Sequence, residues 1–231
     1  MAQPSGPKGE SDALEQIRSH VRKFAKPLRE LVERDANEGD TRVLVTDMLC
    51  DALGYDKYED LTTEYAVRGE FADYGVRVDK QMVAFVEVKR AAQDLHARHL
   101  RQVETYAVKE GVEWLILTNG RVWCLYHVAS PIGAPIETSL VIEVDLLSDA
   151  TVNAKAAELF YLHKNAVKRN RMGELWQQRA AVAPGALASV VLSPTVLDEI
   201  RKEVRRRSSY NADVDRLAES LRTGVIRPEL V

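Results

Sequence analysis

The sequence has only two cysteines among its 231 residues, too few for a disulfide scaffold or a zinc site with four sulfur ligands. Cys50 and Cys124 each lie within an apolar run, which predicts reduced core residues. No apolar stretch approaches the roughly 18 residues of a membrane span, and the first dozen residues lack the hydrophobic segment of a secretory signal. We therefore expect a cytoplasmic protein without a membrane partner.

An excess of charge of one sign is also missing, since 32 Lys and Arg residues against 35 Asp and Glu residues give a net charge of −3. This balance argues against a protein that binds nucleic acid through a uniformly basic surface. The average conceals a segregation, because eleven acidic and three basic residues lie between Glu30 and Glu64. Two basic clusters follow at residues 164–171 and 201–207. An acidic region and basic clusters are compatible with a metal site beside a track for a polyanion, although charge runs are more often plain solvated surfaces.

Several catalytic motifs are absent from the sequence. It contains neither the Gly-rich phosphate loop of ATP-binding proteins nor the Gly-x-Ser-x-Gly turn of acyl-transfer enzymes, so we expect no ATP site in this chain. His96 and His99 lie three residues apart but have no third metal ligand nearby in the sequence. We interpret them as one surface histidine and one half-buried histidine.

The hydrophobic pattern predicts an α/β protein. Helical spacing indicates an N-terminal helix that kinks or restarts at Pro27, and a second helix that Gly54 ends. β-branched or alternating segments predict strands at residues 62–67, 74–78, 82–89, 114–118 and 122–126. A helix over residues 94–109 separates the third strand from the fourth, and Asn119-Gly120 predicts a hairpin between the last two. The expected fold is a small mixed β-sheet flanked by helices, with a helical C-terminal extension.

The same patterns predict the division of the chain. We expect a flexible tail at residues 1–12, the α/β domain at residues 13–170 and the helical extension at residues 171–231. The Ala- and Pro-rich segment 180–194 reads as a loose connector within that extension.

Asp73, Glu87 and Lys89 are the strongest candidates for a chemical role. Side chains alternate along a strand, so Glu87 and Lys89 project from one face. If residues 79–81 form a three-residue hairpin loop, Asp73 lies directly opposite Glu87. Two carboxylates and an ammonium group then meet, and hard carboxylate oxygens suit Mg²⁺ or Mn²⁺. The alternative is an ordinary solvent-facing strand edge, which Glu-x-Lys alone would favour.

This motif and the segments around it together resemble the PD-(D/E)xK nuclease superfamily. Within that superfamily they resemble the N-terminal nuclease domain of type I restriction enzyme R subunits and their stand-alone relatives. Five pieces carry the resemblance in the expected order: Asn37-Glu38-Gly39-Asp40-Thr41-Arg42, Leu53-Gly54-Tyr55, Ala72-Asp73-Tyr74, Val86-Glu87-Val88-Lys89, and Gln102-x-x-x-Tyr106 ahead of Leu117-Thr118-Asn119-Gly120. The sequence departs from the family at Ala72, where the family name has proline. It also lacks a helicase domain, so it is not expected to be a complete ATP-dependent restriction subunit.

The resemblance implies a restriction-endonuclease-like core and a metal-dependent endonuclease that hydrolyses DNA phosphodiester bonds, in restriction or phage defence. Glu38, Asp73 and Glu87 would gather Mg²⁺ or Mn²⁺, and Lys89 would serve the attacking water. Gln102 and Tyr106 would lie over the site as supporting residues. From the residues alone, the pair could also be a surface glutamine and a tyrosine packed on the sheet.

The expected partners are DNA and either a second copy of the chain or a larger defence or repair complex. The candidate residues for DNA contact are Lys164, Lys168, Arg169, Arg171, Arg205, Arg206 and Arg207, with Arg201 and Lys202 in the second cluster. We expect at least one cluster on the face that carries Lys89, because phosphates must be held against the acidic centre. Two rival interpretations stay open: a catalytically inactive nucleic-acid-binding module on the same fold, and a protein-interaction subunit. DNA or RNA, strand state, sequence specificity and oligomeric state also stay open.

Overall fold

A computed structural model of the protein describes residues 8–67, 70–131 and 133–230. The chain divides after Gly173 into two compact units. No helix within the described ranges is long and apolar enough to cross a membrane.

The first unit is built on a six-stranded mixed β-sheet with the strand order β1-β2-β3-β4-β5-β6. The strands are β1 Leu61–Val67, β2 Glu70–Val78, β3 Gln81–Val88, β4 Trp114–Thr118, β5 Val122–Ala129 and β6 Glu137–Asp145. Among these described strands, β3 and β4 pair in parallel and the other neighbours are antiparallel. This mixed sheet flanked by helices is the predicted fold class. Sequence reasoning missed β6, although Val141, Ile142 and Val144 carry a β-branched strand signal.

The hairpin between β2 and β3 corrects one prediction. Its turn is the two-residue pair Asp79 and Lys80, both with positive φ (50° and 68°), rather than the expected three-residue loop. A register shift after Val76 compensates for the shorter turn, so Val76 pairs with Ala84, in the register from which Asp73 was predicted to lie opposite Glu87. The extra residue that was predicted in the loop is accommodated in this bulge instead.

Helices cover both faces of the sheet. In the first unit they are α1 Lys8–Glu33, α2 Glu38–Asp47, α3 Arg101–Glu110, α4 Val152–Leu159 and α5 Lys164–Lys168. A π-helical turn at Met48–Ala52 extends α2, and a 3-10 turn at Ala97–Leu100 precedes α3. Helix α3 packs Val103 and Tyr106 against Phe85, Leu115 and Leu117 of the sheet. The side chains of Tyr74 and Val86 project from the opposite face of the sheet. There the Tyr74 hydroxyl donates a hydrogen bond to the carbonyl of Arg42 in α2.

Helix α1 differs from its prediction at two places. It begins at Lys8, so residues 8–12 are helical rather than part of a flexible tail, and it continues through Pro27 without ending. The Glu10 carboxylate in its first turn is bound by Arg171 (Nη2 to Oε1 2.6 Å) and approached by Arg169 (3.5 Å). This contact joins residues 161 positions apart and ties the first turn of α1 to residue 171.

The second unit is helical, as predicted for the C-terminal region. Helix α6 Arg171–Ala181 leads into it, followed by α7 Pro184–Val191, α8 Pro194–Ser208 and α9 Val214–Gly224, with a 3-10 turn at Pro228–Leu230. The expected loose connector at residues 180–194 therefore contains a helix, because Pro184 occupies the first helical position, where its missing N–H costs nothing.

The two cysteines are both free thiols. Cys124 is buried in the core, as expected, whereas Cys50 is only partly buried.

Candidate active site

The candidate site lies where β2 and β3 diverge. The two strands pair as far as Tyr74 and Val86, and β2 then stays paired only with β1. The carboxylate of Asp73 bridges the opening, since its Oδ2 accepts a hydrogen bond from the backbone N–H of Val88 at 2.7 Å. On its other side, β3 is held by β4, with the N–H of Lys89 donating to the carbonyl of Thr118 at 2.8 Å. Both sides of the β3 terminus are therefore fixed.

Glu87 and Lys89 project from this end of β3 and contact each other. The Lys89 Nζ donates to Glu87 Oε1 at 2.5 Å. The side chains of Asp73, Glu87 and Lys89 are 12%, 15% and 19% exposed, so all three are largely withdrawn from water. The structure thus brings together the three residues that the sequence singles out.

The site carries more negative charge than its lysine balances. Burial raises the pKa of Glu87, and the nearby carboxylates of Asp73 and Glu38 raise it further, against the opposing effect of Lys89. Burial alone would lower the pKa of Lys89, but its hydrogen bond to Glu87 and the same carboxylates outweigh burial and raise it. An added cation would be stabilised by this excess of carboxylate.

Helix α2 brings Glu38 to the site at its first turn. Asn37 caps the helix by accepting a hydrogen bond from the N–H of Asp40 at 2.8 Å. Thr41, which is fully buried, then joins the helix to the chain after β3: its Oγ1 donates to the carbonyl of Asn37 (3.0 Å) and accepts from the N–H of Ala91 (3.1 Å). This link fixes the start of α2, and with it Glu38, relative to the end of β3.

Sequence reasoning missed Arg42 as a site residue. Its Nη1 donates to Asp73 Oδ1 at 3.0 Å. The available signal was its spacing, because Arg42 follows Glu38 by four residues and so shares its side of α2.

The two supporting residues lie on α3. Tyr106 is 1% exposed and packs in the core between α3 and the sheet, so contact with a phosphate would require its ring to leave the core. Gln102 lies one turn earlier on the helix, and its side chain is outside the described part of the chain. The two histidines match their interpretation: His96 is exposed and His99 partly buried. Burial lowers the pKa of His99, and the charge of Lys89 contributes to this shift.

An open cleft of about 320 Å³ adjoins the chain that leaves β3. Its lining includes Gln93, His96, Asn119, Arg121 and Glu143. Ala91, two residues after Lys89 in the chain, also lines the cleft, whereas Asp73, Glu87 and Lys89 do not.

The first basic cluster is engaged elsewhere. Its four cations form ion pairs with acids of the first unit: Lys164 with Asp60 (2.5 Å), Lys168 with Asp79 (2.8 Å), and Arg169 and Arg171 with Glu10. Asp79 lies in the β2–β3 turn, at the opposite end of β3 from Glu87 and about 20 Å away at the usual rise per residue. The structure therefore does not bring Lys168 to the carboxylates.

The second cluster lies on α8 in the second unit. Arg206 and Arg207 pair with Glu203, and Arg201 and Lys202 pair with Asp198. Arg205 lies on the same helix. A DNA-binding role for either cluster stays a prediction.

Within residues 8–67, 70–131 and 133–230, no three His, Cys, Asp or Glu side chains form a group that could by itself hold a metal ion. Asp73 is hydrogen-bonded to Arg42 and Val88, and Glu87 to Lys89.

Comparison with known families identifies one part of the chain. Residues 37–134 match the family described as the type I restriction enzyme R protein N terminus, in agreement with the resemblance seen in the sequence. The match contains Glu38, Asp73, Glu87 and Lys89, and it ends before both basic clusters. No curated protein and no solved structure matches the chain. The family match indicates a nuclease-related role and suggests interaction with DNA.

Proposed function

We propose that the protein hydrolyses DNA phosphodiester bonds in a reaction that depends on Mg²⁺ or Mn²⁺. The observation that carries this proposal is the convergence of Asp73, Glu87 and Lys89 where β2 and β3 diverge, within the segment that matches a restriction enzyme domain.

The residues present fit a hard divalent cation. Asp73 and Glu87 supply carboxylate oxygens, Glu38 lies close enough to raise the pKa of Glu87, and the group as a whole has an excess of negative charge. Mg²⁺ is commonly held by one or two protein carboxylates and completes its coordination with water and substrate phosphate. The lack of a closed three-ligand group among the described residues is therefore compatible with such an ion. When bound, it would stabilise the negative charge that develops on the phosphate and lower the pKa of a water molecule.

The protein's own side chains then divide the remaining work. Lys89 keeps its proton, because its pKa is raised, and its ammonium group can orient a water molecule or stabilise the developing anion. Glu87 holds the Lys89 Nζ in place through their hydrogen bond. Thr41 fixes the start of α2 and hence the approach of Glu38. Low exposure of these groups strengthens each of the electrostatic interactions.

A second candidate is a catalytically inactive DNA-binding module on the same fold. It is favoured by one observation, that Asp73 Oδ1 is already occupied by a guanidinium group instead of facing an open coordination position.

Incubation with supercoiled and linear DNA distinguishes the nuclease from the inactive DNA-binding module. We expect the wild type to cleave DNA with Mg²⁺ or Mn²⁺ and not with a chelator, and Asp73→Asn, Glu87→Gln and Lys89→Met each to lose at least about a hundredfold in rate. Asp79→Asn is a matched control, because Asp79 is an exposed, ion-paired acid at the other end of the same hairpin. Binding without cleavage under every cation condition would favour the inactive module, and equal cleavage by Lys89→Met and the wild type would remove the proposed site.

A further inference from the structure

Arg42 has a fixed backbone and a partly exposed head group. Its carbonyl accepts hydrogen bonds from the Thr46 hydroxyl within α2 (2.8 Å) and from the Tyr74 hydroxyl (2.9 Å), and the bond from Tyr74 anchors this turn of α2 on β2. The Arg42 side chain is 36% exposed, in contrast to the 12% of its partner Asp73. The residue is therefore held at the rim of the site, while its guanidinium group can change partners at low cost in desolvation.

The guanidinium binds Asp73 Oδ1, whereas a backbone N–H binds the other oxygen of this carboxylate. Oδ2 is committed to the Val88 N–H, so Oδ1 is the oxygen that an incoming cation would use, and Arg42 Nη1 lies 3.0 Å from it. The same nitrogen is 4.0 Å from the exposed carboxylate of Glu64. Arg42 thus takes the place of a cation at an acidic centre that has too little positive charge of its own.

We infer that Arg42 is a substrate-binding residue that pairs with Asp73 in the empty site and transfers to a phosphate of DNA when a divalent cation takes Asp73 Oδ1. This inference rests on the proposed function. Two like charges cannot share one carboxylate oxygen without repulsion, so arrival of the cation releases the guanidinium. A guanidinium group matches a phosphate through two parallel hydrogen bonds, and the anchored backbone keeps it within the site.

A purely structural ion pair between α2 and β2 makes different predictions. If Arg42 only joins the two elements, its replacement by glutamine lowers the melting temperature and leaves the affinity for cation unchanged. If Arg42 competes with the cation, the same replacement raises the affinity for cation while it weakens the binding of DNA.

Titration calorimetry with MnCl₂ alone and anisotropy with a labelled DNA duplex test the inference, the latter with Mn²⁺ in a Lys89→Met background so that the duplex stays intact. We expect Arg42→Gln to bind Mn²⁺ about five- to tenfold more tightly than the wild type, because it removes one competing positive charge. The same substitution should weaken DNA binding and reduce the slope of log affinity against log salt by about one, the value of one phosphate contact. Arg42→Lys should keep the Mn²⁺ affinity of the wild type and bind DNA with intermediate strength.

Arg34→Gln is the matched control, because Arg34 forms an ion pair of 2.8 Å with Asp40 in the first turn of α2 and is 60% exposed. It should change neither measurement. If Arg42→Gln binds Mn²⁺ no more tightly than the wild type, or leaves the salt slope unchanged, the inference is wrong. Asp73→Asn separates this failure from that of the proposed function: if Asp73→Asn does not reduce Mn²⁺ binding, the proposed metal site fails and the inference falls with it.

Discussion

We predict that protonation of His163 destabilises the first unit at acid pH. It is 2% exposed, and its Nδ1 accepts a hydrogen bond from the N–H of Asn165 (3.1 Å), which caps α5. Its Nε2 has no hydrogen-bond partner within the described residues. Burial lowers the pKa of His163 to about 4 from its usual 6.5, because the charged imidazolium would lack water.

The sign and size of the effect follow from linkage. The folded state holds His163 neutral. The contribution of this residue to the free energy of unfolding is therefore fully present above about pH 6.5, and it is lost as the pH falls and the unfolded chain takes up the proton. A pKa difference of about 2.5 corresponds to roughly 3.4 kcal/mol, lost in full below about pH 4, and to about 2 kcal/mol at pH 5.

Urea denaturation of the wild type and His163→Asn at pH 7.5 and pH 5.0 tests this reasoning. Asparagine keeps an oxygen that can cap α5 but does not titrate. We expect the free energy of unfolding of the wild type to fall between the two pH values by about 2 kcal/mol more than that of the variant. Equal losses in both proteins would show that His163 is not the origin of acid sensitivity, and His163→Gln provides a second variant if the first folds poorly.

Three further predictions concern stability. Thr41→Val should lower the free energy of unfolding by about 1–3 kcal/mol in urea titrations, because the buried N–H of Ala91 loses its acceptor. Gly54→Ala should cost about 1–3 kcal/mol, measured the same way, since φ is +76° and an added Cβ would lie 3.0 Å from His163 Nε2. Lys80→Gly should raise the free energy of unfolding by about 0.5–1 kcal/mol, and the melting temperature with it, because Lys80 has a φ of 68°, which glycine adopts without strain. An unchanged melting temperature would contradict this view of the turn.

Local patterns predicted much of the fold. The hydrophobic pattern located five of the six strands that the structure describes, and it predicted the register of β2 against β3 beyond the bulge, although the turn itself was predicted one residue too long. The bulge after Val76 was not predictable, because it depends on how the turn closes and not on the hydrophobic pattern.

Contacts between distant segments were beyond the sequence patterns. The first turn of α1 contacts Arg171 through Glu10, and Asp73 is bound by Arg42, which lies 31 residues earlier on α2. Spacing placed Glu87 and Lys89 on one face of the sheet. It could not show that Lys168 forms an ion pair with Asp79 at the far end of the hairpin. Charge counts locate clusters without locating their partners.

The hydrogen bond between Asp73 and the backbone of Val88 gives the molecule an internal spectroscopic reporter. In most of the sheet an amide proton senses the carbonyl of a neighbouring strand, but the Val88 amide senses a carboxylate of the candidate site. Any event that changes the charge on Asp73, whether protonation, departure of Arg42 or arrival of a cation, must therefore alter the chemical shift and the hydrogen-exchange rate of this one amide. The amide of Lys89, which donates to the carbonyl of Thr118, serves as its neighbouring reference. Occupancy of the site can thus be followed in the backbone spectrum without labelling DNA or metal.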